Sequence, residues 1–236
     1  MSAGSIMGLC RAGLALLGSC ALLASCGNQD EGPGTLSMLR QAAGQITAQM
    51  RGTDATDTAA APADPEAMAA EALQVNPGPL VLAGLEGMGT TQVLAMTGEN
   101  QGMRTYMTPA MQALILRDGL LIGTRGLGHD LSTSEIGTEA LIRTRQAGSA
   151  QHMLRIYSGD GRELPLPLTC EVSRGPDKSF AFAGRQWNTT TVVEACHNGA
   201  LRIENNYLVT SGGEIPLSRQ WAGPGLGYIT LQTIRP

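Results

Sequence analysis

The chain has 236 residues and a formal net charge of −4, from 16 Lys+Arg and 20 Asp+Glu, with no cationic block anywhere along it. That balance excludes the clustered positive face a nucleic-acid partner requires, and the single lysine, Lys178, removes most routes to lysine chemistry. Aromatic residues make up only 3% of the chain, a low figure for a surface built to stack sugars.

In chain order, the first element is an apolar run from Ala12 to Ser25 behind a single cation, Arg11. It is shorter than the ~20 residues a membrane-spanning helix needs, and it ends in small residues, the pattern of an export signal over residues 1–25. The tetrad Leu23-Ala24-Ser25-Cys26 resembles the bacterial lipobox. The resemblance implies cleavage before Cys26, acylation of that cysteine, and a membrane partner reached through the lipid. Residues 26–78 then read as anchor and flexible linker. The stretch Gly52 to Asp64 is mostly Ala, Thr, Asp and Pro and is too poor in large apolar groups to fold alone. Leu36, Leu39, Ala43, Ile46 and Met50 fall at helical spacing and predict a short amphipathic helix. A second helix is expected over 64–74. Asp64 is its cap, Pro65 lies in its first turn, and Met68, Ala72 and Leu73 share one face.

From residue 79 to 236 the pattern changes to short apolar runs bounded by turn residues, an antiparallel β domain. The sequence predicts a mainly β fold, a meander curled into a barrel-like or sandwich body. Ala113–Arg117 and Leu120–Thr124 flank Asp118-Gly119, the signature of a two-residue primed turn. Gln151–Ser158 and Glu163–Ser173 form a second hairpin. In the latter strand Leu164, Leu166, Leu168, Cys170 and Val172 share a face, so Cys170 points at the core. Pro165 and Pro167 on the opposite face suggest an edge. Ser179–Gln186, Thr189–His197, Leu201–Thr210, Ile215–Trp221 and Gly227–Ile234 continue the series.

Cys170 and Cys196 are the two cysteines after Cys26. In an oxidising compartment they are expected to form a disulfide, and two buried free thiols are the alternative. A meander that places the Ser179–Gln186 strand between them separates them by about 9 to 10 Å, too far for a bond. A bond therefore needs a different strand order, or cysteines at strand ends.

Two stretches look most like sites. The first is Thr124-Arg125-Gly126-Leu127-Gly128-His129-Asp130-Leu131. Its glycines lack the spacing and the βαβ setting of a dinucleotide fingerprint. Ser132–Leu141 allows a short helix behind them. His129 and Asp130 are the residues around which a hydrolase would be built, and such a reading requires an open cleft there. No nucleophile elbow and no metal-ligand spacing among His129, His152 and His197 supports one, so no cofactor, metal or catalytic residue is assigned. The second stretch is Ser218-Arg219-Gln220-Trp221 with Gly223-Pro224-Gly225-Leu226-Gly227-Tyr228. Arg125, His129, Asp130, Arg219, Gln220, Trp221 and Tyr228 are the candidate contacts to a glycan or a partner protein.

Taken together, the lipobox, T-R-G-L-G-H-D-L, the Cys170 strand, V-V-E-A-C, E-N-N-Y-L-V and G-G-E-I-P-L-S-R-Q-W-A-G-P-G-L-G-Y resemble the YjbF/GfcB-type lipoproteins of group 4 capsule and exopolysaccharide. The resemblance covers about residues 80–236 plus the signal. It implies an antiparallel β body on a lipid anchor that serves polysaccharide secretion or assembly without catalysis. The site is then the periplasmic face of the outer membrane, and Gly27 after the anchor cysteine fits that sorting. A direct polysaccharide-binding module is the alternative, with a polysaccharide-modifying hydrolase behind it.

Overall fold

Helix α1 (Pro65–Val75) begins where the sequence places it. The computed structural model describes residues 64–236, so the signal segment, Cys26 and the amphipathic stretch at 36–50 lie outside the described residues. The Asp64 carboxylate accepts the Glu66 N–H at 3.0 Å, and Pro65 occupies the first turn. This satisfies one of the orphan donors of the helix start. The fully buried Ala69, with Met68, Ala72 and Leu73, packs on Leu80, Leu82 and Ile234.

Twelve strands follow: β1 (Leu80–Leu85), β2 (Thr90–Asn100), β3 (Met103–Met107), β4 (Ala113–Arg117), β5 (Leu120–Arg125), β6 (Leu131–Ile136), β7 (Gly148–Tyr157), β8 (Glu163–Phe182), β9 (Arg185–Asn198), β10 (Leu201–Thr210), β11 (Leu217–Trp221) and β12 (Tyr228–Arg235). A short helix α2 (Glu139–Thr144) lies between β6 and β7. Among the described residues no helix is long and apolar enough to cross a membrane.

All twelve strands form one antiparallel sheet in the order β5-β4-β3-β2-β1-β12-β11-β10-β9-β8-β7-β6. Neighbours in sequence are neighbours in space, and the first strand also pairs with the last, Leu82 opposite Gln232. The sheet curls into a nearly closed barrel whose seam falls between β5 and β6. Side chains bridge that seam. Thr124 Oγ1 donates to Asp130 Oδ1 at 2.7 Å and accepts the Leu131 N–H at 2.9 Å. The Arg125 guanidinium donates to the carbonyls of Leu131 at 3.1 Å and Ser132 at 3.3 Å. Asp118 and Gly119 have φ of 48° and 87°, the backbone of the expected primed turn.

Two expectations are corrected. Residues 131–136 are a strand, and only Glu139–Thr144 is helical, so the helix allowed over 132–141 is short and late. Ser179–Gln186 is not a separate strand. β8 runs through a bulge between Arg174 and Asp177 and keeps pairing with β9 as far as Phe182 opposite Arg185. Glycine and proline at 175 and 176 sit in that bulge, where a missing ladder bond is tolerated. β8 and β9 are therefore adjacent, Cys170 lies directly opposite Cys196, and the two are joined in a disulfide. Pro165 and Pro167 occupy the part of β8 that has β7 on one side and runs beyond the end of β9, a local edge.

Period-two alternation fills the barrel. Leu168, Cys170 and Val172 of β8, Val192 and Cys196 of β9, and Ile203, Tyr207 and Val209 of β10 are all buried.

Candidate functional site

The two stretches singled out in the sequence meet at one rim of the barrel. There the β5–β6 and β11–β12 connections each carry a Gly-Leu-Gly: Gly126-Leu127-Gly128 and Gly225-Leu226-Gly227. Gly126, Gly128 and Gly227 have φ of 78°, 88° and 68°, a backbone that favours glycine. This lets both loops fold inward, and Leu127 and Leu226 are buried in one apolar cluster with Leu85 and Leu131. A Cβ on Gly225 would collide with the ring of His129, so the loops touch. The leucines cap this rim.

Asp130 is committed to the loop's shape. Besides Thr124, it accepts the N–H groups of Gly126 at 2.8 Å and Leu127 at 3.1 Å. His129 is exposed. Leu127 and Leu226 lie buried next to these two residues.

Arg219, Trp221 and Tyr228 come together on the outer wall beside this rim. Arg219 donates to both carboxylate oxygens of Glu86 at 2.7 Å, and its guanidinium carbon lies 3.5 Å from the Tyr228 ring centroid. The Arg219 hydrogen bonds hold the Glu86 carboxyl below its ordinary value. Tyr228 Oη accepts the Glu204 N–H at 3.1 Å, and Trp221 is half-buried opposite Tyr228. Gln220 is a correction. It alternates to the inside of β11 and is 3% exposed. Its amide accepts the Leu121 N–H at 2.9 Å and donates to the Gly119 carbonyl at 2.8 Å, bolting β11 to the β4–β5 hairpin across the interior. It offers nothing to an outside partner.

Sequence reasoning missed a polar cluster inside the barrel. Glu194 is fully buried and accepts four donors: Thr138 Oγ1 at 2.5 Å, His152 Nδ1 at 3.3 Å, Asn205 Nδ2 at 2.8 Å and Tyr207 Oη at 3.0 Å. A carboxylate only accepts, so the network assigns a proton to His152 Nδ1. His152 Nε2 lies 2.7 Å from Ser134 Oγ. Burial alone raises the Glu194 carboxyl, but the hydrogen bond and charge of His152, helped by Asn205 and Thr138, outweigh it and hold the group below its ordinary value. Burial first, and then the charge of Glu194, push the Tyr207 hydroxyl well up. The signal available in the sequence was parity: Glu194 shares the inward face of β9 with Val192 and Cys196. His152, Cys170, Glu194 and Cys196 gather possible ligand atoms within 4.8 Å. The two sulfurs are bonded to each other and the carboxylate is saturated, so the donor set does not suit a metal in this state.

The opposite rim is different. A cavity of about 440 Å³ opens there beneath the β8–β9 hairpin, with Tyr106, Trp187 and Leu231 in its wall. The hairpin tip docks on α1 through Phe182, and Glu66 accepts the Ala183 N–H at 3.2 Å.

A family model described as "Group 4 capsule polysaccharide lipoprotein gfcB, YjbF" matches residues 48–234. Among solved structures, the crystal structure of the hypothetical lipoprotein YmcC from Escherichia coli aligns with a TM-score of 0.63, covering 71% of this chain and 89% of that one at 16% identity. At that identity the likeness is one of fold. No curated protein matches the chain. The antiparallel barrel, its paired cysteines and the family match over most of the chain agree, and the chain belongs to the YjbF family of group 4 capsule polysaccharide lipoproteins.

Proposed function

We propose that the protein is a non-enzymatic accessory of capsule or exopolysaccharide secretion and assembly. It is held by acylated Cys26 on the periplasmic face of the outer membrane. The observation that carries the reading is the family match over residues 48–234, joined to the Leu23-Ala24-Ser25-Cys26 tetrad at the start of the chain. One acyl chain anchors weakly, and each further buried methylene adds about 0.8 kcal/mol, so several chains on one cysteine hold firmly.

The absence of catalysis is supported by the interior cluster. Ser134, His152 and Glu194 have the order of a nucleophile, a base and an orienting acid. Their exposures are 3%, 4% and 0%, and none of them lines the 440 Å³ cavity. Such a group stabilises the barrel and has no path to a polymer. The outer wall of Arg219, Trp221 and Tyr228 is the surface assigned to a partner export protein. Arginine, tryptophan and tyrosine are the residues enriched where proteins meet.

The test is deletion of the gene with measurement of secreted polysaccharide, followed by complementation. Wild-type and Ser134→Ala chains restore secretion, whereas Cys26→Ser and Trp221→Ala chains do not. Undiminished secretion in the deletion strain refutes the reading, and failure of Ser134→Ala at unchanged stability refutes its non-enzymatic part.

A further inference from the structure

We propose that the cavity beneath the β8–β9 hairpin binds the end or a branch sugar of a neutral glycan; the choice of polymer rests on the polysaccharide role proposed above. Its volume, about 440 Å³, falls within the roughly 300–1,000 Å³ of small-molecule sites. Its lining is mixed. Tyr106, Trp187 and Leu231 supply apolar wall, while Asp118, Glu214 and Gln232 supply hydrogen-bonding groups. An acyl chain would leave those groups facing hydrocarbon, whereas the faces and hydroxyls of a sugar match both.

The charges favour a neutral ligand. Arg104 is paired with Glu99 at 2.9 Å. Arg143 is paired with Glu139 at 2.9 Å and donates to the carbonyls of Arg117 and Gly213. Both guanidiniums are engaged, and the Glu214 carboxylate is exposed at the mouth. Arg185 stacks over the Trp187 ring at 4.4 Å but is not among the residues that line the cavity.

The closed far rim fixes which part of a polymer enters. Leu127 and Leu226 fill that end, and the Glu194 cluster and the disulfide fill the middle. A chain cannot thread through, so only a terminus or a side branch reaches the wall. Trp187 adds an independent observation. Its Nε1 is the one buried side-chain polar atom without a partner among the described residues. An unmade bond of this kind costs about 1–3 kcal/mol. Trp187 lines the cavity with its Nε1 buried within the wall, so its ring reports on what enters.

The chain has two tryptophans, Trp187 in the cavity wall and Trp221 on the outer wall. Full-length lipoprotein carrying Trp221→Phe, in detergent, therefore reports on Trp187 alone. It is titrated with maltotriose, cellotriose, chitotriose and a partial acid hydrolysate of the host's secreted polysaccharide. The expected result is a saturable change in Trp187 emission with at least one of them. Gly212→Phe, at a position on the rim whose added Cβ would meet only Thr210 Oγ1 at 3.8 Å, is expected to weaken that response at least about tenfold. The hydrolysate is expected to compete better, per sugar residue, than the intact polymer. No response to any sugar overturns the proposal, and so does a response to decanoate alone. Retained affinity in a folded Gly212→Phe chain overturns the location. Equal competition by intact polymer overturns the end-binding claim, and this reading needs no second variant to fold. Loss of secretion on gene deletion with no sugar response sinks this proposal and leaves the accessory role standing. The reverse pattern does the opposite.

Discussion

The two rims of the barrel are made from the same strands and do different things. At one, glycine on both sides of Leu127, and again of Leu226, frees the loops to tuck a leucine into the core. At the other, Ile142 of α2 and Ile215 of the β10–β11 connection pack into the core, yet beside them, where the tip of the β8–β9 hairpin leans on α1, an open space of about 440 Å³ remains. A barrel of this many strands is wider than its own side chains need. The molecule packs one end and the waist fully and keeps a cavity beside the core at the other. Stability and recognition are thus separated along one axis, and substitutions at the two ends should separate them too.

The largest effect is expected at the waist that both rims rest on. Glu194→Ala leaves Thr138, Asn205, Tyr207 and His152 without their shared acceptor and should cost about 3–5 kcal/mol in urea unfolding. A loss within about 1 kcal/mol would mean that water replaces the carboxylate and the waist is not sealed. Next comes the capped rim. Leu226→Ala should cost about 2–5 kcal/mol, while Gly212→Phe at the open rim should shift stability by less than about 0.5 kcal/mol. Equal losses at the two ends would erase the contrast drawn here.

Acid should act through Glu194. Its folded-state pKa is depressed, so its stabilisation is present above the ordinary carboxylate pKa of 4.5 and is lost as pH falls below that through the folded value. A urea midpoint followed from pH 7 downward should drop in that window, and the drop should shrink in Glu194→Gln. Tyr207 has the opposite sign. Its raised pKa adds stability that is complete below the ordinary tyrosine value of 10 and is lost as pH rises through the folded value. The smallest effect is expected on the outer wall. Arg219 and Glu86 are well over a third exposed, and Arg219→Ala should cost less than about 1 kcal/mol despite the two 2.7 Å contacts. Its partner-binding phenotype, read by co-purification of an export protein, should exceed its stability phenotype.

Local chemistry made some of this legible in the sequence. Asp118-Gly119 has one economical backbone solution, and the sequence places it correctly. Asp64 and Pro65 likewise mark a helix start without outside help. The β8 strand was harder. Gly175 and Pro176 look like a terminator, yet Asp177 resumes the ladder opposite Thr190, because β9 continues beside it. A bulge and a break have the same local sequence and differ only in the neighbour. That misreading created the apparent obstacle to the Cys170–Cys196 bond. Glu194 stayed hidden for a related reason. Val-Val-Glu-Ala-Cys reads as a strand with one wet residue, and its hydrogen-bond partners come from β7, β10 and the entry to α2. Arg219 and Gln220 show the limit of motif reading, since one step along a strand moves a side chain from solvent to core.

The pairing of β1 with β12 has a consequence for how the polypeptide acquires its shape. Leu82 must wait for Gln232, almost the whole described length away. Most other ladders join strands consecutive in the chain and can zip as they emerge. The meander β6 to β12 can form locally, but the joining of its last strand to the first has the highest loop-closure entropy in the molecule. Made from the N-terminus, the protein exposes one side of β1 until synthesis is nearly over. Whatever escorts the nascent chain must shield that strand edge longest.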